Sequence, residues 1–449
     1  MDGIEILNGV HLLLKMKKED NFQNLMERKL GSLIFPFGRR KVKVDIPKAN
    51  LLQILKIKRC KGVTNEVEEI KKALQNPIGV LPLNEIVKPR DKVTIVISDK
   101  TRPVPNHKIV PCILNELNKT GVRDITILVA LGMHKKNTRI ELEHMLGKGI
   151  LEKVKVLNHE AFNKNMVTYM GDTSRGTPIE VNKLVSNGDV KILTGYIEPH
   201  EFAGFTGGRK SILPGVSSVN SIKWNHRPEM LENPKAKIGI LEGNPIHEDM
   251  VEAAKIVGVD FMINVTLNDK KEITKVVAGD FLKAYQEGVN FYKQHAMVKV
   301  AQQADIVITS SGYPLDCDFY QSVKSIITAE LIVKEGGTII LLTESKDGVG
   351  PRLFHYWLKK VSSQAELFEK IKKEDFRPEL DHCYLLAKVL KKCKVIVVSS
   401  QQQLKKIKLL TVVNSVKKAL NMAFKNEGRK AEVIALPYAT MLIPEVMKG

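Results

Sequence analysis

The run Val93-Thr-Ile-Val-Ile-Ser98 decides the fold, because β-branched and apolar residues at consecutive positions leave no polar face and read as a strand buried on both sides. A Pro-stiffened turn leads from it to Asn106. From Pro105 to Lys119 the apolar residues then fall at i, i+3/i+4, and a second β-branched run occupies 125–131. Strand, helix, strand at this spacing is a βαβ unit on a parallel sheet. The same alternation continues outward, with strands expected at 190–196, 261–267, 304–309, 337–343, 393–399 and 431–436. Covering helices are expected over Asn65–Gln75, Ile246–Val257 and Phe319–Lys334. Eight strands fit two sheets, so the expected class is α/β, with two α/β domains, mostly parallel sheets and a cleft between them. A chain of 449 residues is long enough for two or more domains. The amphipathic stretch from Asp280 to about Val300 separates the two strand sets. The expected organisation is an N-terminal extension over 1–33, an α/β domain over 34–279, a helical hinge over 280–300 and a second α/β domain over 301–449.

Composition excludes several classes. With 43% apolar and 27% charged residues the chain resembles an ordinary globular protein, and no window holds the ~18 uninterrupted apolar residues of a membrane span. The net charge of +20 invites a nucleic-acid reading, but only 14 of the 70 basic residues are Arg. The lysines are spread along helices, as at Lys71-Lys72, Lys359-Lys360 and Lys417-Lys418, without an RRM, KH or helix-turn-helix signature. A solvated lysine surface that steers small anions explains the excess better than a nucleic-acid site. Five cysteines without a CxxC pair argue against a disulfide framework and a thiolate zinc site, and imply a reducing, cytoplasmic compartment.

The unusual residues cluster after strands, where parallel sheets place their ligands. The densest stretch is Gly195-Tyr-Ile-Glu-Pro-His-Glu-Phe-Ala-Gly-Phe-Thr-Gly-Gly-Arg-Lys-Ser-Ile-Leu-Pro-Gly215. It superficially resembles a P-loop, but Arg209 separates Gly208 from Lys210, whereas that cradle requires Gly directly before Lys. His200 precedes Lys210, His226 follows it, and His134 lies just past another strand. Three such histidines suit metal ligation or proton transfer, although any one alone reads more readily as a core or surface residue. Ser98-Asp-Lys-Thr-Arg-Pro-Val-Pro-Asn106 presents Asp99 and Arg102. Arg102 suits a carboxylate clamp, and an Asp-Arg pair that merely holds the turn is the alternative. In the second half, Gly312-Tyr-Pro-Leu-Asp316 leads to Tyr320, Gln321 and Lys324, the last two on one helix face at i, i+3.

Together, Asp-x-Thr-Arg-Pro, Gly-x-His, Glu-Pro-His-x-Phe-Ala-Gly-x-(Ser/Thr)-Gly-Gly-Arg-Lys-x-x-x-Pro-Gly, a downstream His and Tyr-Gln-x-x-Lys resemble the nickel-dependent lactate racemase family from about Phe35 onward. The resemblance implies an isomerase, a racemase or epimerase that inverts C2 of a 2-hydroxy acid by hydride transfer, with its site in the inter-domain cleft. The implied cofactor is a nickel pincer nucleotide, pyridinium-3-thioamide-5-thiocarboxylic acid mononucleotide. Lys210 would hold it covalently, with Gly207, Gly208 and Asp99 beside it, and His226 would ligate the nickel. His134 and His200 would be the acid/base pair, and Arg102, Gln321, Lys324 and Tyr320 would surround the substrate carboxylate. The implied partners are a small 2-hydroxy carboxylate and cofactor-biosynthesis proteins encoded elsewhere, with no nucleic acid or membrane. The alternatives are a cofactor-free relative that binds an anion or nucleotide, and a basic nucleic-acid-binding protein. Two departures put lactate itself in doubt. Lactate-active members carry a Trp where Leu380-Asp-His-Cys-Tyr-Leu385 stands here, and Lys135 replaces a frequent Arg. A longer or more polar substrate is expected, with Lys135 and Arg209 as positive surroundings for a second group.

Overall fold

The computed structural model describes residues 30–373 and 377–447. Most of the expected extension, residues 1–29, lies outside them, and residues 30–33 already belong to a strand, Leu30–Phe37.

All eight expected strands form, four in each of two six-stranded sheets. The first sheet runs in the order Ile273–Gly279, Phe261–Leu267, Val190–Tyr196, Lys92–Ser98, Asp124–Ala130, Lys155–Asn158. Only its first strand is antiparallel. The second is parallel throughout, in the order Thr411–Val413, Lys394–Val398, Val333–Leu342, Ala304–Ser310, Val433–Leu436, Leu51–Ile54. Central strands are buried on both faces: in Lys92–Ser98, Val93 to Ile97 are all buried, as the apolar run requires.

Three boundaries differ from expectation. Leu51–Ile54 pairs with Val433–Leu436, and the hairpin Leu30–Phe37/Arg40–Pro47 buries Phe35, Val44 and Ile46 against Ile306, Ile308 and Ile340. The second sheet thus takes its edge strand and part of its cover from residues 30–54, which the sequence pattern assigned mostly to the first domain. Alternation reveals an element's type but not its partner, and parallel pairing joins strands at any separation. Secondly, the hinge stretch is a helix only over Lys283–Ala296, packed through Ala284, Tyr285, Gly288, Val289 and Tyr292. Met297–Val300 is a strand paired with Ile443–Val446. Thirdly, the helix expected to reach Lys334 stops at Glu330, because Val333 already pairs with Ala304 in the sheet.

Phe35→Ala is expected to destabilise the second sheet by about 3–5 kcal/mol, the usual loss for a fully buried Phe. Trp224 belongs to the first domain and Trp357 to a helix of the second. In a Trp224→Phe background, the urea transition reported by Trp357 should therefore move to lower concentration. An unmoved transition would assign residues 30–54 elsewhere.

Candidate active site

The glycine-rich stretch folds as a miniature hairpin, Pro199–His200 against Gly204–Phe205, closed by Thr206. The Thr206 hydroxyl donates to Tyr196 O at 2.8 Å and accepts from the Glu198 amide at 2.9 Å. Gly204, at φ +77°, lies so close to Ile240 that a Cβ would stand 2.1 Å from its carbonyl oxygen. Arg209, 1% exposed, donates to the carbonyls of Ala203 at 2.8 Å, Phe205 at 2.9 Å and Gly207 at 3.1 Å, and to the Tyr285 hydroxyl. It is therefore a fastener of the loop and unavailable to a substrate anion, contrary to the expectation from sequence. Gly207 and Gly208 hold φ +81° and +54° and lie against Asn264 and Tyr285, which leave no room for side chains.

This loop projects His200 and Glu201 into a narrow cleft between the domains, and Lys210 lies close enough to feel the charges of Glu201, Arg102 and Lys324. The first domain lines it with Arg102, Glu198, His200, Glu201 and Thr206, the second with Leu315, Lys324, Thr328 and Thr440. Glu201 was not singled out from sequence, yet it is the cleft's central anion. One of its oxygens is 3.4 Å from Lys324 Nζ and 3.3 Å from His382 Nε2, and the other is 3.3 Å from His200 Nδ1. His382, also unanticipated, has Asp381 Oδ1 2.7 Å from Nδ1 and lies against the Tyr320 ring, tilted by 33°, at 4.1 Å between ring centroids. Its Nε2 lies within ion-pair distance of Glu201 but outside hydrogen-bond geometry. Burial opposes the His382 charge, but Asp381 and Glu201 outweigh it and push its pKa up to about 9. Burial likewise acts against ionised Glu201, and His200, Lys324 and His382 around it overcome it, holding the carboxyl well below its ordinary range. The signal for Glu201 was its place beside His200 in the quoted motif, whereas His382 had none, since only long-range folding brings it to the cleft.

Burial drives the Lys210 amine well below the ordinary lysine range; Arg209 beside it adds to this, Glu201 opposes it, and Arg102 and Lys324 push it lower still. The amine makes no hydrogen bond among the described residues and approaches the face of Phe202 at 5.7 Å. His226 ends the helix Val219–Asn225, which is anchored by Asn225 Nδ2 donating to buried Asp249 at 2.7 Å. Its Nδ1 is 3.1 Å from Ile222 O. A carbonyl only accepts, so Nδ1 carries the proton and Nε2 keeps its lone pair. Burial lowers the His226 pKa to about 4, despite the opposing charge of Asp381.

His134 is backed by Asp99, whose Oδ2 is 2.5 Å from Nδ1, while Thr101 donates to Oδ1 through its amide at 2.9 Å and its hydroxyl at 2.6 Å. The carboxylate thus orients His134 rather than pairing directly with Arg102. Burial would raise the Asp99 pKa, but His134, Arg102 and Thr101 together hold it at about 2. The Arg102 guanidinium feels burial first, yet Tyr196, Asp99, Glu198 and Glu201 keep it firmly protonated. Of the carboxylate-binding candidates, Arg102 and Lys324 line the cleft and Tyr320 stands behind it on His382. Gln321 Oε1 is buried without a partner, its backbone amide bonded to Asp318. No group of three or more His, Cys, Asp or Glu among the described residues could by itself hold a metal.

Residues 37–239 match the family model of the lactate racemase N-terminal domain and residues 299–443 that of the lactate racemase C-terminal domain. The chain is 35% identical over 423 residues to a lactate racemase of Thermoanaerobacterium thermosaccharolyticum, covering 92% of this chain and 99% of that one. The chain belongs to the lactate racemase family. It is accordingly an isomerase, as its motifs implied. A second lactate racemase, from Lactiplantibacillus plantarum, is 36% identical over 380 residues, 83% of this chain and 89% of that one. The lactate racemase apoprotein structure from T. thermosaccharolyticum superposes with a TM-score of 0.88 at 34% identity, covering 92% of this chain and all of that one. A Thermotoga maritima protein, 20% identical with a TM-score of 0.67 over 87% of this chain, shares the fold alone. Among the described residues of this family member, no helix is long and apolar enough to cross a membrane.

Asp99 supports a prediction of pH dependence. Its folded pKa lies below the ordinary 3.8, so its contribution to stability is complete above pH 3.8 and is lost as pH falls through about 2. The stability difference between the wild type and Asp99→Asn should thus rise from near zero at the acid end to on the order of 2 kcal/mol at neutral pH. A difference constant across that window, in urea titrations at stepped pH, contradicts the assignment.

Proposed function

We propose that the protein inverts C2 of a 2-hydroxy acid by hydride transfer to and from a nickel pincer nucleotide attached to Lys210. The observation that carries this reading is that a buried amine held neutral and a buried histidine whose Nε2 lone pair is free both lie against the Phe202 ring, at 5.7 and 5.0 Å. The first is a nucleophile fit for covalent attachment, and the second is a single metal donor oriented through its other nitrogen by a carbonyl. A metal held there needs its remaining donors from a bound group, which suits a pincer ligand and not an all-protein site. When bound, the group supplies a hydride acceptor and donor.

The chain's own residues perform the rest. Arg102 and Lys324, on opposite walls, draw in and orient the carboxylate beside His200. Gln321 and Tyr320 support the second-domain wall. Asp99 holds the His134 proton on Nδ1, which leaves Nε2 ready to take the hydroxyl proton of one enantiomer. His200 rests neutral, its Nδ1 accepting from the Ala203 amide at 3.3 Å and its proton on Nε2. To donate that proton it must first gain a second on Nδ1, since a neutral ring that gave one up would be left as imidazolate. In each direction one histidine takes the hydroxyl proton and the other, as imidazolium, returns one. Closure of the second domain over the loop excludes water from the transfer. The proposal extends to a cytoplasmic location, to cofactor-biosynthesis proteins as partners, and to the absence of nucleic-acid and membrane partners. The five free cysteines support the first of these.

Lys210→Ala should keep the fold but lose the cofactor's added mass by intact-protein mass spectrometry. His226→Ala should lower the nickel content of purified protein. Persistence of the adduct, or full nickel retention, refutes the respective role. His134→Ala and His200→Ala should each slow racemisation by about 10²–10⁴-fold in both directions, the ordinary worth of a general base. For substrate, Glu198, Glu201, Thr206, Thr328 and Thr440, on walls otherwise formed by Pro199, Ile238 and Leu315, offer hydrogen-bond partners to a hydroxylated side chain. Aldonates or malate should exceed lactate in kcat/KM for the cofactor-loaded protein, and a tenfold preference for lactate overturns this expectation.

A further inference from the structure

We propose that Glu201 is the positioning carboxylate of His200, the counterpart of Asp99 behind His134, and that the second domain fixes it through Lys324 and His382. The proposal rests on the reading of His200 as an acid/base group. A racemase runs in both directions, so each histidine must serve as base in one of them. His134 meets this requirement directly through Asp99. His200 does not, because the Ala203 amide donates to Nδ1 and places the proton on Nε2. For His200 to act as base, the proton must instead sit on Nδ1 and find an acceptor there. Glu201 Oε2, 3.3 Å from Nδ1, is the acceptor within reach. Glu201 occupies the position that the Glu-Pro-His-x-Phe motif leaves open.

The second oxygen of Glu201 explains why the carboxylate stays ionised in a dry cleft. Lys324 and His382 reach it from the second domain at 3.4 and 3.3 Å, and His382 is in turn held by Asp381. Without these cations, a carboxylate only 4% exposed would be neutralised and could not select the Nδ1 tautomer. His200 also faces Lys210 and Arg102, which oppose its protonation, so Glu201 is the group that favours it. The arrangement makes His200 competent as a base only when the second domain is closed.

The test uses Glu201→Gln, which keeps shape but removes the anion, and Glu201→Asp, which restores it at shorter reach. In cofactor-loaded protein, Glu201→Gln should lower kcat about 10–100-fold with KM nearly unchanged, the usual scale for a group that orients another. Glu201→Asp should recover much of that loss. A fall confined to KM, or equal losses in the two variants, overturns the proposal. A second measurement needs no cofactor: in ¹⁵N-histidine spectra of the apoprotein, with His200 assigned through His200→Gln, the share protonated on Nδ1 should drop in Glu201→Gln. An unchanged tautomer ratio in a folded variant, checked by circular dichroism, overturns it independently. Wild-type protein that carries the cofactor but racemises no 2-hydroxy acid would count against the proposed function, while the tautomer measurement would still decide the role of Glu201.

Discussion

A guanidinium buried without a carboxylate partner holds the centre of this molecule in shape. Arg209 lies among the carbonyls of Ala203, Phe205 and Gly207 and the Tyr285 hydroxyl, and burial lowers its pKa without displacing its charge. Three carbonyl dipoles pointing at one cation tie together a segment that would otherwise be free to move, since Gly204, Gly207 and Gly208 all occupy positive φ. His200 lies before the tied segment and Lys210 directly after it. Their relative placement, and hence the distance between proton transfer and cofactor attachment, depends on this one side chain. Lys in its place would carry the charge but not the planar fork that reaches several acceptors at once.

Around that fixed loop the cleft concentrates charge in a dry space. Glu201, Lys324, His382 and Asp381 alternate in sign across the domain boundary, while Lys210 and His200 are driven toward their neutral forms. The alternation sorts the groups by task. Those with an opposite charge in contact remain ionised and can hold a carboxylate or orient a neighbour, and those left to burial become neutral nucleophiles and bases.

Much of this was legible in the sequence. The apolar runs around Val93, Ile192 and Ile339 identify buried parallel strands because such strands have no polar face, and the eight central strands follow from that alone. Edge strands such as Lys155–Asn158 and Thr411–Val413 are short and partly polar, and only their partners make them strands. At the site, the residues carried by contiguous motifs, Asp99, Arg102, His134, His200, Lys210, His226 and Lys324, were readable as chemistry. His382 was not, because its meaning comes from Glu201, about 180 residues earlier in the chain and on the other domain. Arg209 was misread for a related reason. A basic residue beside Lys210 looks like an anion site until the carbonyls that surround it are known.

The second sheet draws on both ends of the described chain, and this has a consequence for synthesis. Phe35, Val44 and Ile46 leave the ribosome early, but the sheet face they cover includes Val433 and Ala435, and the neighbouring strand Leu51–Ile54 pairs with Val433–Leu436. At roughly 5–20 residues per second, the hairpin waits on the order of 20–80 s for the last strands to arrive. During that interval the first sheet, whose strands all lie within residues 92–279, can fold without them. The nascent protein therefore passes through a stage in which the half bearing Lys210 and His226 is built while an apolar ribbon at its start stands uncovered, the point in its life at which a chaperone has most to bind.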